Sequence, residues 1–208
     1  MMKPQPQDLE AFFESLVPSP ERHARWLNTV SMLEATGARK IWKSQGKDGL
    51  NEQVLRHASE ESRHALFFKR AAQRVHPGIC DGYEDHELLE GLAARHYFQS
   101  LDHGIFERLL EAVPEAKARA LAYLYVTLAI EERAQCLYPI YDTVLRRHRI
   151  PVTLRGIIEE EDQHLEEMIE GIEALDPEAT SRRAEFQALE TELFAAFFSQ
   201  LNPQAQAA

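Results

Sequence analysis

Two Glu-x-x-His pairs are the residues most suited to metal binding or catalysis in this sequence of 208 residues. Glu61 precedes His64 by three positions, and Glu161 precedes His164 by the same interval. Side chains three positions apart share one face of an α-helix, so each pair presents a carboxylate and an imidazole to the same side. Those two groups together are typical ligands of transition metals. One such pair is expected by chance in a glutamate-rich chain, whereas two at matching places indicate a shared purpose.

A lone glutamate precedes each pair at a similar distance. Glu34 lies 27 positions before Glu61, and Glu131 lies 30 positions before Glu161. At a rise of about 1.5 Å per residue, such an interval allows two half-helices and a connection that returns to the same height. The same order therefore occurs twice, and it predicts four carboxylates and two imidazoles that converge inside a helical bundle.

The elements that position these residues are predicted to be helices throughout. Apolar residues recur at helical spacing, Ile and Val are sparse, and no window shows the alternation of a strand. Core helices are predicted at about residues 20–43, 51–75, 114–148 and 153–175. The first should end near Gly46, and Pro139 should kink or break the third.

Two further segments complete the predicted all-α domain, which spans residues 1–208. Residues 77–113 are expected to form a helical insertion in the crossover, with a break possible near Asp102-His103-Gly104. Residues 177–201 are expected to form an accessory C-terminal helix, followed by a frayed tail. The overall expectation is a four-helix bundle with an extra helical crossover segment and a C-terminal fifth helix.

In this layout the chain resembles the ferritin-like di-iron carboxylate superfamily, whose core pattern is one Glu from each of two helices and Glu-x-x-His from each of the other two. The resemblance covers about residues 22–74 and 116–174 and rests on six motif positions. It implies that the metal ligands, which would also form the catalytic centre, are Glu34, Glu61, His64, Glu131, Glu161 and His164. It further implies that Glu61 and Glu161 bridge two metal ions, and that Glu34 and Glu131 are terminal ligands.

The charge of such a cluster favours bound cations over an empty core. Four ionised glutamates in an apolar bundle would repel one another and lose their solvation. Two divalent ions would balance them. The mixed carboxylate and imidazole ligands suit two iron ions, with a manganese–iron pair as the alternative.

Glu132 is the alternative to Glu131 as a ligand. Glu131 is favoured because Ala134 follows it at i+3, as Gly37 follows Glu34, and small residues there would leave room beside a metal. Plain packing between helices would explain Gly37 as well.

Several neighbours of the six positions have two interpretations each. Glu60 and Glu160 are expected at the surface, although Glu60 also has the spacing to act with His64. Arg63 and Asp162 either pair across helices or lie at the surface. Core packing is favoured for Tyr125 and Tyr138, and a buried position for Cys136, with a place beside the centre as the alternative for all three.

Composition excludes several classes of protein. The formal net charge is −11, which weighs against unspecific binding to nucleic acid and against anionic membranes. No apolar run approaches the ~20 residues of a membrane span, and the start lacks the apolar core of a secretory signal, so a cytoplasmic protein is expected. Two cysteines rule out a four-Cys metal site in this chain, and with it a rubrerythrin-type architecture.

The resemblance implies a di-iron oxygenase or other oxidoreductase, hydroxylase-like, that uses O₂ to oxidise a small organic substrate with electrons from an unidentified donor. The insertion would cover the substrate pocket. The candidate pocket residues, for which core packing is an equal alternative, are Phe67, Phe68, Tyr97, Phe98 and Phe106. One alternative is a ferroxidase or iron-storage protein, and another is a non-catalytic helical bundle. A homodimer is expected only because dimers are common.

A further similarity, over Ile130-Glu131-Glu132-Arg133 and the two-pair layout, is to bacterial tRNA-modifying di-iron hydroxylases. It leaves tRNA as an alternative partner, although the charge of the chain argues against nucleic acid. The candidate basic surface consists of Arg146, Arg147, His148, Arg149 and Arg155. Compensation of a helix dipole is the favoured explanation of that segment.

Overall fold

The computed structural model describes residues 3–44 and 51–202. Over these ranges it contains α1 (Pro6–Leu16), α2 (Pro20–Ser44), α3 (Glu52–Val75), α4 (Gly91–Ala112), α5 (Glu115–Arg147), α6 (Arg155–Leu175) and α7 (Ala179–Leu201), with a short 3₁₀ turn at Asp85–Glu87. No strand occurs in the described ranges, which confirms the all-α prediction. The predicted helix end near Gly46 and the frayed tail lie outside the described residues. Within the described part, no helix has the length and apolar character needed to cross a membrane.

Local sequence signals start several of these helices where the sequence predicted them. The Asn51 side chain accepts a hydrogen bond from the backbone N–H of Val54 and so caps α3. Pro20 is the first residue of α2, and Pro114 directly precedes α5. A proline suits these positions because it has no N–H to leave unpaired in the first turn.

Helix α1 was not predicted from the sequence, because it is short and shows only one apolar face. That face, Leu9, Phe12, Phe13 and Leu16, is buried. The Phe13 ring stacks on Tyr141 of α5 with centroids 4.6 Å apart, and Phe12 meets Trp26 of α2 edge-on. A helix of this length is marginal on its own, so α1 is stabilised mainly by its packing against the core.

The predicted interruptions at Pro139 and at Asp102-His103-Gly104 are wrong as breaks, since α5 and α4 are continuous through them. Pro139 removes one backbone hydrogen bond, but Tyr138 and Tyr141 beside it are buried and hold both halves of α5 in the core. A Cβ atom on Gly104 would lie 3.1 Å from the side chain of Leu189. The glycine therefore allows α7 to approach α4 closely.

The helices pack mainly as neighbours in sequence. Helix α2 packs along α3, and α5 packs along α6, while α4 lies against both α5 and α7. The aromatic core lies around Phe13, Trp26, Tyr141, Phe194 and Phe198. A second apolar group lies around Leu121, Tyr125, Met168 and Phe186, and Ile130 touches both. These two cores hold α2, α3, α5 and α6 in the positions from which the candidate site is built.

Candidate metal centre

The structure brings all six predicted residues together and adds a seventh, His57. Potential ligand atoms of Glu34, Glu61, His64 and Glu161 lie within 4.8 Å of one another, and so do those of His57, Glu61, Glu131 and His164. Glu61 belongs to both groups. Together these residues are called here the carboxylate–histidine cluster, and each is at most 9% exposed. Their role as metal ligands stays a prediction.

Four helices supply the cluster. Helix α2 carries Glu34, α5 carries Glu131, and the remaining five residues come from α3 and α6. His57 precedes Glu61 by four positions, one helical turn, and therefore shares its face. That i, i+4 relation is present in the sequence, but His57 belongs to neither Glu-x-x-His pair and was not predicted as a ligand.

Each of the three imidazoles has one nitrogen directed into the cluster. Nδ1 of His164 lies 2.8 Å from Oε2 of Glu161, and Nδ1 of His64 lies 3.1 Å from Oε1 of the same residue. Nε2 of His57 lies 3.4 Å from Oε1 of Glu61 and 3.6 Å from Oε1 of Glu131. Three imidazole nitrogens and four carboxylates therefore face a common centre.

The opposite nitrogen of each ring has a hydrogen-bond partner outside the cluster. Nε2 of His64 pairs with Glu160 of α6 at 2.7 Å, and Nε2 of His164 pairs with Glu60 of α3 at 2.9 Å. Nδ1 of His57 pairs with the Tyr123 hydroxyl at 2.9 Å. Metal-binding histidines typically have such outer partners, which fix the orientation of the ring and leave the inner nitrogen free for a metal.

Glu60 and Glu160, which were expected at the surface, are half-buried. Their side chains are only 21% and 31% exposed, because each reaches across to a histidine of the other helix. Arg63 donates to Glu160 at 2.9 Å rather than pairing with Asp162, which accepts from Gln135. Sequence spacing could not reveal these contacts, since they depend on how α3 and α6 face each other.

The neighbouring carboxylates Glu131 and Glu132 point in different directions. Glu131 lies in the cluster, whereas Glu132 accepts a hydrogen bond from Arg183 of α7 at 3.0 Å. A Cβ atom on Gly37 would make only an ordinary contact, 3.6 Å from Oε2 of Glu61. A Cβ atom would therefore fit at position 37 without displacing its neighbours.

The two tyrosines singled out earlier are both buried, as core packing predicts. Tyr125 donates to Asp176 at 2.7 Å, away from the cluster. Tyr138 lies beside the cluster and donates its hydroxyl hydrogen to Glu34. Cys136 is exposed, which corrects the expected buried position.

Burial and mutual repulsion distribute protons unevenly among the carboxylates. Burial, with the charges of Glu61 and Glu161, raises the pKa of Glu34 well above its ordinary value. Burial and the charge of Glu161 raise the pKa of Glu131 to about 8. Burial also opposes ionisation of Glu161, but the hydrogen bond from His164 and the nearby imidazole of His64 outweigh it and lower that pKa.

The imidazoles respond to these carboxylates in the opposite direction. Burial alone would lower the pKa of each ring. The neighbouring Glu161 outweighs burial and raises the pKa of His64 to about 9, and Glu131 with Glu61 raises the pKa of His57 to about 8. Glu131 and Glu161 together raise the pKa of His164 further. In the absence of cations, protons on the carboxylates and imidazoles with raised pKa therefore offset part of the negative charge of the cluster.

Even with these protons bound, some buried polar atoms of the cluster lack a hydrogen-bond partner. Three of its buried polar atoms, Nε2 of His57, Nδ1 of His64 and Oε1 of Glu61, make no hydrogen bond of acceptable geometry. Buried polar atoms normally have a partner, and unsatisfied ones indicate a missing ion or water. The donor set and the unpaired atoms both fit a pair of divalent cations.

Two apolar cavities adjoin the cluster on different sides. The inner cavity, of about 80 Å³, touches Glu34 and Glu61 and is lined by aromatic residues that include Tyr97 and Phe98. The outer cavity, of about 40 Å³, touches His57, Glu61 and Glu131. Phe98 comes from α4, so the insertion supplies part of the wall of both cavities. Of the other pocket candidates, Phe67 and Phe68 pack in the core, and Phe106 lines a surface vestibule described below.

The basic segment at the end of α5 is largely paired within the chain. Arg147 binds Glu10 and Glu14 of α1, and His148 also binds Glu14. Arg155 pairs with Glu159 one turn further along α6. These contacts pair Arg147, His148 and Arg155 with carboxylates of the same chain.

Comparison of the chain with protein-family models, curated protein sequences and solved structures finds no significant match.

Proposed function

We propose that the carboxylate–histidine cluster binds two divalent metal ions, with iron as the natural occupant, and that the loaded centre oxidises an organic substrate with O₂. In this proposal α2, α3, α5 and α6 form a ferritin-like four-helix bundle around the centre. The six predicted residues are ligands, and His57 is a seventh. Glu61, which is common to both groups of ligand atoms, is the carboxylate that would be best placed to contact both ions.

The observation that carries the proposal is the orientation of the three histidines. Each ring is held from outside by Glu160, Glu60 or Tyr123 and directs its other nitrogen at buried carboxylates. Three inner atoms of this one cluster are left unpaired together, and each unpaired buried polar atom costs about 1–3 kcal/mol unless an ion or water completes it. Atoms left unpaired at the centre, with paired atoms at the periphery, are typical of a metal site.

Two ferrous ions in this position would supply electrons to O₂ and so make the oxidation of a neighbouring C–H bond accessible. The chain itself would contribute positioning and control of protons. Glu34 and Glu131 would release their protons when cations arrive, because bound cations stabilise the ionised carboxylates against the burial and the neighbouring negative charges that raise their pKa. The apolar walls of both cavities would limit the access of water to the centre.

An organic substrate is favoured over iron storage by these same cavities. A ferroxidase needs a route for hydrated iron, for which polar walls are suited. The inner cavity instead presents apolar side chains such as Trp26, Leu33 and Phe197 directly beside Glu34. Iron handling without an organic substrate is the alternative outcome of the experiment.

Anaerobic loading with Fe(II), followed by metal analysis after desalting, tests the metal site. We expect two ions per chain in the wild type and at least about tenfold weaker metal binding in Glu61→Ala and His164→Ala, since loss of a ligand removes a direct bond. Glu132→Ala is the matched control and should keep both ions. Full occupancy in Glu61→Ala or His164→Ala would overturn the site.

Oxygen uptake by the loaded protein then separates the two functions. Uptake that increases with an organic compound and yields its oxidised form supports the oxygenase. Uptake that depends only on Fe(II), with accumulation of ferric mineral, would overturn the oxygenase in favour of iron handling.

A further inference from the structure

We propose that the substrate is a slim amphiphile with an anionic head group, of which a medium-chain carboxylate is the simplest example. It would enter between α2, α4 and α5 and extend its apolar chain past the centre. This inference rests on the proposed function, because the centre is what would act on the bound chain. Binding itself is a property of the cavities and can be measured without metal.

The inner cavity selects for a narrow apolar group. Its volume is about 80 Å³, whereas a cavity of roughly 150 Å³ holds one benzene ring. An alkyl chain therefore fits better than a ring system. The cation in its wall, Arg133, is already neutralised by Glu190 through hydrogen bonds of 2.8 and 2.6 Å, so it does not attract the head group inwards.

The three spaces adjoin one another, as their shared wall residues show. The inner and outer cavities share Gly37, Phe98 and Ile130 as wall residues. The outer cavity in turn shares Lys40 and Asp102 with a surface vestibule of about 240 Å³. A chain lying along this route would pass the His57 side of the cluster before its end reached the inner cavity.

The vestibule supplies the charge that recognises the head group. Lys40, Lys43 and Arg119 line it together with one carboxylate, Asp102, although the whole chain carries a net charge of −11. Lys40 pairs with Asp102, and Arg119 pairs with Glu115 in an exposed contact. Exposed pairs contribute little, so Arg119 and Lys43 can bind an anion at small cost. The head group then lies at the rim, and the centre faces carbons along the chain.

Calorimetric titration of metal-free protein with octanoate, 1-octanol and octylammonium tests the head group. We expect octanoate to bind about tenfold more tightly than 1-octanol, because its carboxylate gains charged hydrogen bonds. Octylammonium should bind most weakly. The double variant Lys43→Ala/Arg119→Ala should lose the advantage of octanoate and keep the affinity for 1-octanol. Equal affinities for the three ligands in the wild type would overturn the proposal.

Substitutions that obstruct the route test the path of the ligand's alkyl chain. Gly37→Leu adds a side chain where the two cavities meet, and Thr127→Phe fills the outer cavity from a less buried position. Each should weaken octanoate binding by about tenfold or more, since filling a cavity excludes the groups it would hold. Gly156→Leu is the matched control, because a Cβ atom there meets nothing within 4 Å. Unchanged octanoate binding in both obstructing variants would overturn the route.

The failure of this inference and the failure of the proposed function are distinguishable. Wild-type protein that binds two metal ions but no octanoate keeps the centre and loses the substrate class. Wild-type protein that binds octanoate along this route but no metal keeps the binding inference and loses the enzyme.

Discussion

Two buried polar clusters in this protein handle charge in different ways. The first, called here the arginine–glutamate cluster, consists of Arg133, Glu190 and Tyr97. Arg133 donates to both carboxylate oxygens of Glu190, and Tyr97 donates to one of them at 2.8 Å. The guanidinium also lies over the ring of Phe194, 4.0 Å from its centroid. One positive and one negative charge cancel, and the chain supplies every partner.

The carboxylate–histidine cluster is not self-sufficient in this way. Four carboxylates meet three imidazoles, the pKa values of Glu34 and Glu131 are raised, and three inner atoms lack a hydrogen bond. Both clusters are equally buried, so burial alone does not distinguish a structural ion pair from a binding site. The difference lies in whether the chain completes its own hydrogen bonds.

The largest expected effect on stability comes from breaking the arginine–glutamate cluster. Glu190→Gln should reduce the free energy of unfolding of metal-free protein by about 3–5 kcal/mol, because it leaves the charge of Arg133 buried without a counterion. The matched change in the other cluster, Glu61→Gln, should cost less than about 1 kcal/mol, since it removes one of several repelling carboxylates. Urea unfolding in the presence of a chelator measures both.

A metal-free protein in which Glu61→Gln is as damaging as Glu190→Gln would contradict this comparison. The cluster would then be a structural network that the chain completes by itself. Two-state unfolding curves with equal slopes are needed for the two variants to be compared.

A third buried polar group, His23, differs from both clusters because its imidazole is held in the neutral form. It is fully buried against the Tyr141 hydroxyl, and burial lowers the pKa of its imidazole to about 4. The unfolded chain, with an ordinary pKa of 6.5, therefore binds a proton that the folded protein excludes. This contribution to stability is complete above pH 6.5 and is lost as the pH falls towards 4.

The size of this effect follows from the shift, at about 1.4 kcal/mol per pH unit, and reaches at most about 3 kcal/mol. Unfolding free energies measured from pH 7 to pH 4 should fall more steeply in the wild type than in His23→Phe, which has no imidazole at that position. Identical slopes would show that His23 is not held neutral by the fold.

The smallest expected effect separates the adjacent carboxylates on α5. Glu132→Ala removes a partly exposed pair with Arg183 and should change stability by less than about 1 kcal/mol, with no change in metal content. Glu131→Ala should lower metal content instead. Metal analysis of the two variants side by side tests this, and equal losses would leave the preference for Glu131 without support.

Much of the candidate site could be predicted because it depends on helical periodicity. Glu61 with His64, and Glu161 with His164, share a face through their spacing alone, and the repeated order brought Glu34 and Glu131 into the same group. The preference for Glu131 over Glu132 followed only from the small residue at Ala134. His57 was not predicted although its spacing to Glu61 is also local, because it belongs to neither Glu-x-x-His pair.

The remaining parts of the site could not be predicted because they are contacts between helices. Glu60 and Glu160 are ordinary surface acids by sequence, and they reach histidines only because α3 and α6 face each other. The same holds for α1, whose single apolar face needed the core before it could be recognised.

The helices, their apolar stripes and the polar residues that interrupt those stripes could be predicted from the amino-acid pattern, because hydrophobic period and side-chain spacing are properties of a single helix. The inward-facing nitrogen of each histidine, the unpaired buried atoms and the positions of the cavities became apparent only in the folded chain. Those features depend on the relative rotation and separation of helices far apart in the chain, and no local pattern encodes that geometry.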